Sequence, residues 1–199
     1  MIEITGLKKI YDEKAIIDGL NFSANEGEIV GIFGAKGSGK SLFLKMIMGI
    51  VKPDEGKIAI DNKFISKNTY KDVAYVTSER ALFYDMSTVE HMEYLRYYYP
   101  RFSEEIFNQY VQFFQLPINA RLEKLSAEDV EKVDIALAMA KNTKYLILDD
   151  PFRGLKPKDR LRYLQTMFSN LREDKIVLVA MRNSQGMKNL VSRAFILEK

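Results

Sequence analysis

The stretch that decides the fold is Gly34-Ala35-Lys36-Gly37-Ser38-Gly39-Lys40-Ser41, which fits the pattern GxxxxGK[ST]. It follows the apolar run Ile29–Phe33 and precedes a segment with the apolar pattern of a helix, the context that this motif requires. Glycines allow successive backbone N–H groups to turn inward as an anion nest, and the following helix adds its positive end. An ordinary strand-to-helix turn is the alternative. The stretch predicts a phosphate-binding loop.

Side chains at the end of this loop and on a distant strand predict a magnesium site. Lys40 is expected to reach the outer phosphates of a nucleotide, and the Ser41 hydroxyl is placed to bind Mg²⁺. The apolar run Tyr145–Leu148 reads as a buried strand that ends in the carboxylate of Asp149. If this strand neighbours the one before the loop, Asp149 lies beside the phosphates and holds Mg²⁺ through water. An aspartate that merely ends a strand is the alternative.

The distribution of short apolar runs predicts an α/β fold with a mostly parallel sheet. Strands are predicted at Glu28–Phe33, Tyr145–Leu148 and Ile176–Ala180, which are almost fully apolar, as strands buried on both faces are. Further strands are predicted at Ile2–Ile4, Ala15–Phe22, Lys57–Ile60 and Val73–Thr77, with helices at Lys40–Ile50 and Pro157–Leu171. The middle, about 81–142, reads as helix throughout, with Ser87, Ser103 and Ser126 as helix caps. We expect one domain over 1–199 with this helical subdomain inserted.

Composition excludes several classes of function. The 199 residues include 30 basic and 27 acidic side chains, a balance that gives no electrostatic reason to expect a nucleic-acid partner. With no cysteine and a single histidine, disulfides, thiol catalysis and metal sites with two histidines are excluded. No apolar stretch is long enough to span a membrane, and the charged start lacks a signal-peptide core. We expect a cytoplasmic protein, held at a membrane through a partner.

With the loop and Asp149 identified, the whole chain resembles the nucleotide-binding domain of ABC transporters. The carrying segments are Asn21–Ser41, Val51–Asp61, the Q-loop region Asp72–Phe83 and Leu146–Leu155, which is similar to the second nucleotide motif and the D-loop. The resemblance implies a P-loop NTPase fold of the ABC type that binds ATP and Mg²⁺, with Tyr11 stacked on adenine. It also implies a dimer in which each ATP lies between the phosphate loop of one subunit and the signature of the other.

The signature position departs from the family pattern. The usual LSGGQ is here Leu125-Ser126-Ala127-Glu128-Asp129, so Glu128 puts a carboxylate where the partner's γ-phosphate should arrive. The glycines of the family pattern allow close backbone approach to that phosphate. Here Ser126 to Asp129 instead form a capping-box pattern, and their acids satisfy the positive end of the helix from within.

The hydrolysis positions depart as well. The resemblance places Asp150 at the catalytic glutamate, one methylene shorter, and misplacing a catalytic group by about 1 Å can cost on the order of 100-fold in rate. Arg182 falls at the switch histidine, and a guanidinium accepts no hydrogen bond. Ser78, with Glu79 beside it, replaces the Q-loop residue, and Lys156 replaces the D-loop aspartate. Binding residues are kept while hydrolysis residues are altered.

The function expected from this pattern is that of an ATP-binding subunit of an ABC transporter with weak hydrolysis. The expected partners are a separately encoded transmembrane subunit and a second ATP-binding subunit, identical or different. One alternative is a nucleotide-responsive regulatory or structural protein without turnover. Another is sequence drift at these positions with moderate activity retained. A soluble ABC protein of DNA repair or translation is less favoured, because the chain has neither long coiled coils nor two tandem domains.

Overall fold

The structure is a computed structural model that describes residues 1–63, 69–77, 79 and 81–198. Within these residues the chain forms two sheets and five α-helices. The strands are β1 (Ile2–Tyr11), β2 (Lys14–Ala24), β3 (Ile29–Phe33), β4 (Glu55–Ile60), β5 (Val73–Val76), β6 (Tyr145–Asp149), β7 (Ile176–Met181) and β8 (Arg193–Ile196). The helices are α1 (Lys40–Ile47), α2 (Thr88–Tyr98), α3 (Glu104–Phe114), α4 (Ala127–Ala140) and α5 (Pro157–Ser169). In the described part of the chain, no helix is long and apolar enough to cross a membrane.

A parallel five-stranded sheet of order β5-β6-β7-β3-β8 forms the centre of the fold, as predicted. Residues that alternate along β6 and β7 face opposite sides, so these strands are buried on both faces. Leu146 and Leu148 pack with α3, α4 and α5, whereas Tyr145 and Ile147 pack with α1 and the antiparallel sheet β2-β1-β4. The sheet is therefore a rigid platform between two apolar cores.

The middle of the chain is not helical throughout, contrary to the prediction. Residues 115–126, between α3 and α4, are not α-helical and contain only a short 3-10 turn at Leu122–Lys124. Helix α3 ends because Gln115 adopts a left-handed conformation (φ 55°) and Pro117 follows. The three predicted caps are confirmed: the hydroxyls of Ser87, Ser103 and Ser126 accept bonds from backbone N–H groups of α2, α3 and α4. That these helices form a separate subdomain remains a prediction.

Two other expectations about the sheet need correction. The strand β8 was not predicted, because its sequence Arg-Ala-Phe-Ile is short and its edge position leaves both charged and apolar residues exposed. The strands before the phosphate loop and before Asp149 are not neighbours, since β7 lies between β3 and β6. The loop after β3 leads into α1, whose first turn places Ser41 within hydrogen-bond distance of Asp149.

Candidate nucleotide site

The loop between β3 and α1 has the backbone that an anion nest needs. Gly37 (φ 82°) and Gly39 (φ 93°) are both left-handed, a region that side chains with a Cβ rarely adopt. A Cβ at Gly34 would lie 2.3 Å from the carbonyl oxygen of Leu197 and 2.5 Å from Ser38 Oγ. Glycine is therefore required at Gly37 and Gly39 by the backbone conformation, and at Gly34 because a Cβ has no room there.

Lys40 closes the loop upon itself. Its ammonium donates to the carbonyl oxygens of Gly34 (2.7 Å) and Ala35 (2.8 Å) and to Ser38 Oγ (3.3 Å). Burial lowers the pKa of Lys40, and the nearby Asp150 and Asp149 act in the opposite direction. The cation is therefore held at the loop by oxygens that a phosphate group could replace as its partners.

The start of α1 offers further donors to an anion. Gly39 occupies the N-cap and no side chain caps the helix, so the first N–H groups are not satisfied by a capping oxygen. Backbone N–H groups at a helix N-terminus, together with the positive end of its dipole, favour phosphate. The loop, Lys40 and this helix start fit the polyphosphate of a nucleotide.

Ser41 and Asp149 lie together as the predicted magnesium site requires. Ser41 Oγ donates to Asp149 Oδ1 over 3.0 Å, and Asp149 is 3% exposed at the end of β6. Burial raises the pKa of Asp149, against the opposing effect of the Ser41 bond. Among the described residues no three acidic or histidine side chains converge on one point. A hydroxyl and one carboxylate suit Mg²⁺, which usually takes its remaining ligands from water and phosphate.

Tyr11 lies at the tip of the β1–β2 hairpin. Its ring is 47% exposed, and the Lys9 ammonium lies 5.3 Å from the ring centre. Strand β2 reaches the loop, since Ile16 and Ile17 border the position that a Cβ on Gly39 would take. The hairpin thus connects the exposed ring to the nucleotide loop, and stacking of Tyr11 on a base remains a prediction.

Asp150 and Arg182 are brought together, but the nearest partner of Asp150 is Arg160, which the sequence did not indicate as a site residue. Arg160 of α5 donates from Nη2 to Asp150 Oδ1 over 2.7 Å, and both side chains are 15% exposed. Arg182 Nε is 4.0 Å from Asp150 Oδ2, and this side chain is 56% exposed. The sequence does place Arg160 in the first turn of the helix that begins at Pro157. Its spacing from Asp150, however, does not indicate that the two side chains meet.

The segment after β8 was also missed. The N–H of Leu197 donates to the carbonyl of Phe33 over 2.8 Å, and its own carbonyl lies against Gly34. The phosphate loop and residues Ile196, Leu197 and Glu198 together line a cavity of about 370 Å³. The end of the described chain therefore braces the start of the loop.

The predicted signature, Leu125–Asp129, leads through the N-cap Ser126 into the first turn of α4, and its charges are paired. Ser126 Oγ accepts from the N–H of Asp129 (3.1 Å) and donates to Asp129 Oδ2 (2.7 Å), which confirms the local cap. Lys132, 8% exposed, places its ammonium 2.6 Å from Glu128 Oε1 and 3.7 Å from Asp129 Oδ1. The carboxylate of Glu128 therefore carries its own counterion within the helix.

The remaining two motif positions are the Q-loop position, Ser78 with Glu79 beside it, and the D-loop position, Lys156. Ser78 lies outside the described residues. Glu79, beside it, forms an ion pair with Lys45 of α1 (2.5 Å). Lys156 is the N-cap of α5 without a side-chain hydrogen bond, as expected of a residue that cannot accept one.

Comparisons with known proteins agree with this geometry. The sequence model of the family described as "ABC transporter" matches residues 17–153. The chain is 28% identical to the lipopolysaccharide export system ATP-binding protein LptB of Haemophilus influenzae, over 96% of this chain and 84% of that protein. It is 27% identical to the ABC transporter ATP-binding protein YtrB of Bacillus subtilis, over all of this chain and 69% of that protein.

Solved structures show the same fold. The dimeric structure of the ABC transporter cassette MJ0796 aligns with a TM-score of 0.82 at 25% identity, over 99% of this chain and 94% of that one. A post-hydrolysis state of MJ0796, bound to ADP and Pi, gives a TM-score of 0.84 at 25% identity, over 100% and 94%. Since the family model spans more than half of the sequence, the chain belongs to the ABC transporter family, with the fold of its ATP-binding cassettes.

Proposed function

We propose that this chain is a transporter ATP-binding subunit that holds Mg-ATP at Gly34–Ser41 and turns it over slowly. The observation that carries the proposal is the 3.0 Å contact between Ser41 and Asp149 beside the phosphate loop. It joins the two halves of the site, which lie more than 100 residues apart in the sequence, at a single point. The contact supplies the hydroxyl and carboxylate oxygens suited to Mg²⁺ next to donors suited to phosphate.

Each residue of the site has a part in binding. Lys40 exchanges the carbonyls of Gly34 and Ala35 for phosphate oxygens, and the N–H groups of the loop and of α1 bind the same anion. Ser41 and Asp149 would hold Mg²⁺, which would supply positive charge to offset that of the phosphates. Tyr11 would stack on the base.

The hydrolysis step is where we expect the chain to be weak. Asp150 is the carboxylate best placed to orient an attacking water, but its oxygens face Arg160 and Arg182. A base must lie within hydrogen-bond reach of the proton that it takes, and these ion pairs compete for that position. Slow turnover with retained binding follows from this arrangement.

Partners are proposed on the same basis. Relatives named as ATP-binding proteins of export systems, and the dimeric structure of MJ0796, support assembly with a second ATP-binding subunit and with a separately encoded membrane subunit. The chemistry of the site recognises a nucleotide and carries no information on a transported substrate.

A second candidate function is a nucleotide-responsive regulatory subunit without turnover. It is favoured by the ion pair of Asp150 with Arg160, which occupies the expected hydrolysis carboxylate, and by the carboxylate of Glu128, which stands at the signature and is paired with Lys132. The two candidates share ATP binding and differ in whether phosphate is released.

Two measurements on the purified chain test the proposal. Calorimetry with Mg-ATP is expected to show binding, and phosphate release is expected to be measurable and slow. Binding without any release, alone or with a membrane partner, supports the regulatory candidate. No ATP binding by the folded chain contradicts both.

A further inference from the structure

We propose that Arg160 is a positioning residue that restrains Asp150 and thereby slows ATP hydrolysis. The inference rests on the proposed function, since it concerns a neighbour of the carboxylate to which hydrolysis is assigned. Arg160 lies in the first turn of α5, where its backbone N–H donates to the carbonyl of Lys156 over 3.0 Å. Its side chain points back toward the loop that follows β6, and Asp150 is the first residue of that loop.

The backbone of Asp150 is fixed independently of its side chain. Its N–H donates to the carbonyl of Ala180 in β7 over 2.9 Å, and its φ of 53° is in the left-handed region, which aspartate adopts more readily than most residues. The direction of the carboxylate is then set by side-chain torsions alone. Arg160 holds Oδ1 at 2.7 Å, and Arg182 lies 4.0 Å from Oδ2.

The burial of this pair makes the restraint stronger than a surface ion pair. Both side chains are 15% exposed, so water screens their attraction poorly. The Nε–H of Arg160 is buried, and among the described residues it has no hydrogen-bond partner. If Asp150 turned away toward a nucleotide, the Nη2 group of Arg160 would lose its acceptor. The guanidinium would then have a second N–H group without a partner, in addition to the buried Nε. Leaving Arg160 is therefore costly for the carboxylate.

Hydrolysis requires Asp150 to leave this position. A carboxylate oxygen that accepts from Arg160 is less available to a water at the phosphate, so the pair raises the barrier of the chemical step. Nucleotide binding is not affected in the same way, because other residues hold Lys40 and Ser41 in the loop. Removal of the Arg160 charge should thus change kcat and leave KM and ATP affinity alone.

The experiment compares Arg160→Gln with Arg160→Lys in the full chain. Lys158→Gln, which removes an exposed charge from the same turn of α5, is the matched control. We expect Arg160→Gln to raise kcat about tenfold or more, with KM and the ATP dissociation constant unchanged within about twofold. Arg160→Lys keeps a cation near Asp150 and is expected to stay near the wild-type kcat, as is Lys158→Gln. A merely structural role for Arg160 predicts a lower kcat instead.

A second readout does not depend on activity. The urea unfolding midpoints of Arg160→Gln, Asp150→Asn and the double variant form a cycle, in which we expect non-additive shifts because the two residues contact each other. If Arg160→Gln fails to fold, Arg160→Met takes its place in both assays, because methionine keeps the apolar part of the arginine side chain without its charge.

The outcomes separate this inference from the proposed function. Normal ATP binding with an unchanged or reduced kcat in Arg160→Gln, or additive shifts in the cycle, overturns the inference alone. Absence of ATP binding by the wild-type chain overturns the proposed function and this inference with it.

Discussion

Glu128 and Lys132 form an ion pair across one turn of α4, with 2.6 Å between Oε1 and Nζ. The lysine is 8% exposed, and its ammonium also lies 5.8 Å from the centre of the Tyr163 ring. In the dimer that the family resemblance implies, Glu128 is expected to meet a partner's γ-phosphate as a like charge. The structure gives Glu128 a buried counterion, which would reduce that repulsion but leaves a carboxylate where the resemblance implies a glycine.

The first prediction concerns dimerisation. If two chains close on ATP as the family resemblance implies, Glu128 lies on the closing face, so ATP is expected to promote little homodimer in the wild type. Glu128→Gly combined with Asp129→Gln should make ATP a dimer-promoting ligand, whereas Lys132→Met should weaken any ATP-dependent dimer further by removing the counterion. Sedimentation with and without Mg-ATP at two salt concentrations measures this. Strong ATP-induced dimerisation of the wild type would be at odds with the account.

A second prediction tests the phosphate loop. Lys40→Ala should abolish ATP binding measurable by calorimetry, because it removes the buried cation and its bonds to Gly34 and Ala35. Lys188→Ala, at an exposed position outside the loop, is the control and should bind as well as the wild type. Tyr11→Ala should weaken binding modestly, by about 1–3 kcal/mol of lost stacking. Equal losses for Lys188 and Lys40 would contradict the assignment.

A third prediction concerns pH and stability. Burial raises the pKa of Asp134 to about 7, and nearby Glu131 adds to the effect while Lys141 opposes it. The unfolded carboxyl ionises near pH 4, so between about pH 4 and 7 the folded chain binds more protons than the unfolded chain. The contribution of this group to stability is therefore present at acidic pH and is lost as pH rises through 7.

Asp134→Asn should remove this dependence. We expect the variant to be more stable than the wild type by roughly 1–3 kcal/mol at pH 8, with a small difference at pH 4. Glu93→Gln, at an exposed position of α2, is the control and should change little at either pH. Urea unfolding at the two pH values measures the effect, and an equal shift at both would exclude this cause.

A fourth prediction concerns the loop after β6. Phe152 is fully buried with a left-handed φ of 56°, and its ring contacts Phe114 of α3 and Tyr163 of α5. Phe152→Ala should lower the free energy of unfolding by about 3–5 kcal/mol, the usual cost of removing a buried aromatic ring. Phe113→Ala, at a 38% exposed position beside the same cluster, should cost much less. Similar losses in urea unfolding would contradict this packing.

The sequence predicted those features that depend on local patterns. The glycine spacing of Gly34–Ser41 and the apolar run before Asp149 were sufficient for the loop and the buried strand, because each motif carries its own conformational requirement. The capping serines were equally local, as in the bond from the N–H of Glu90 to Ser87 Oγ. Element ends were less exact, since α1 stops at Ile47 rather than Ile50.

Features that depend on tertiary placement were not predictable from one sequence. The pairing of Arg160 with Asp150 requires both the left-handed turn at Asp150 and the path of α5, neither of which the residue types determine. Likewise β7 separates the two strands of the nucleotide site, and the path of the phosphate loop into the first turn of α1, rather than strand adjacency, brings Ser41 to Asp149. Strand order is set by packing of whole layers, which leaves no mark on the spacing of the motifs.

Binding of ATP with slow hydrolysis is best checked by phosphate release from the purified chain at saturating Mg-ATP, with ATP binding established by calorimetry on the same sample. We expect a rate far below the typical enzyme value of about 10 per second. A wild-type rate of several turnovers per second would contradict slow hydrolysis, because it would require Asp150 to act as a free base despite its pairing with Arg160.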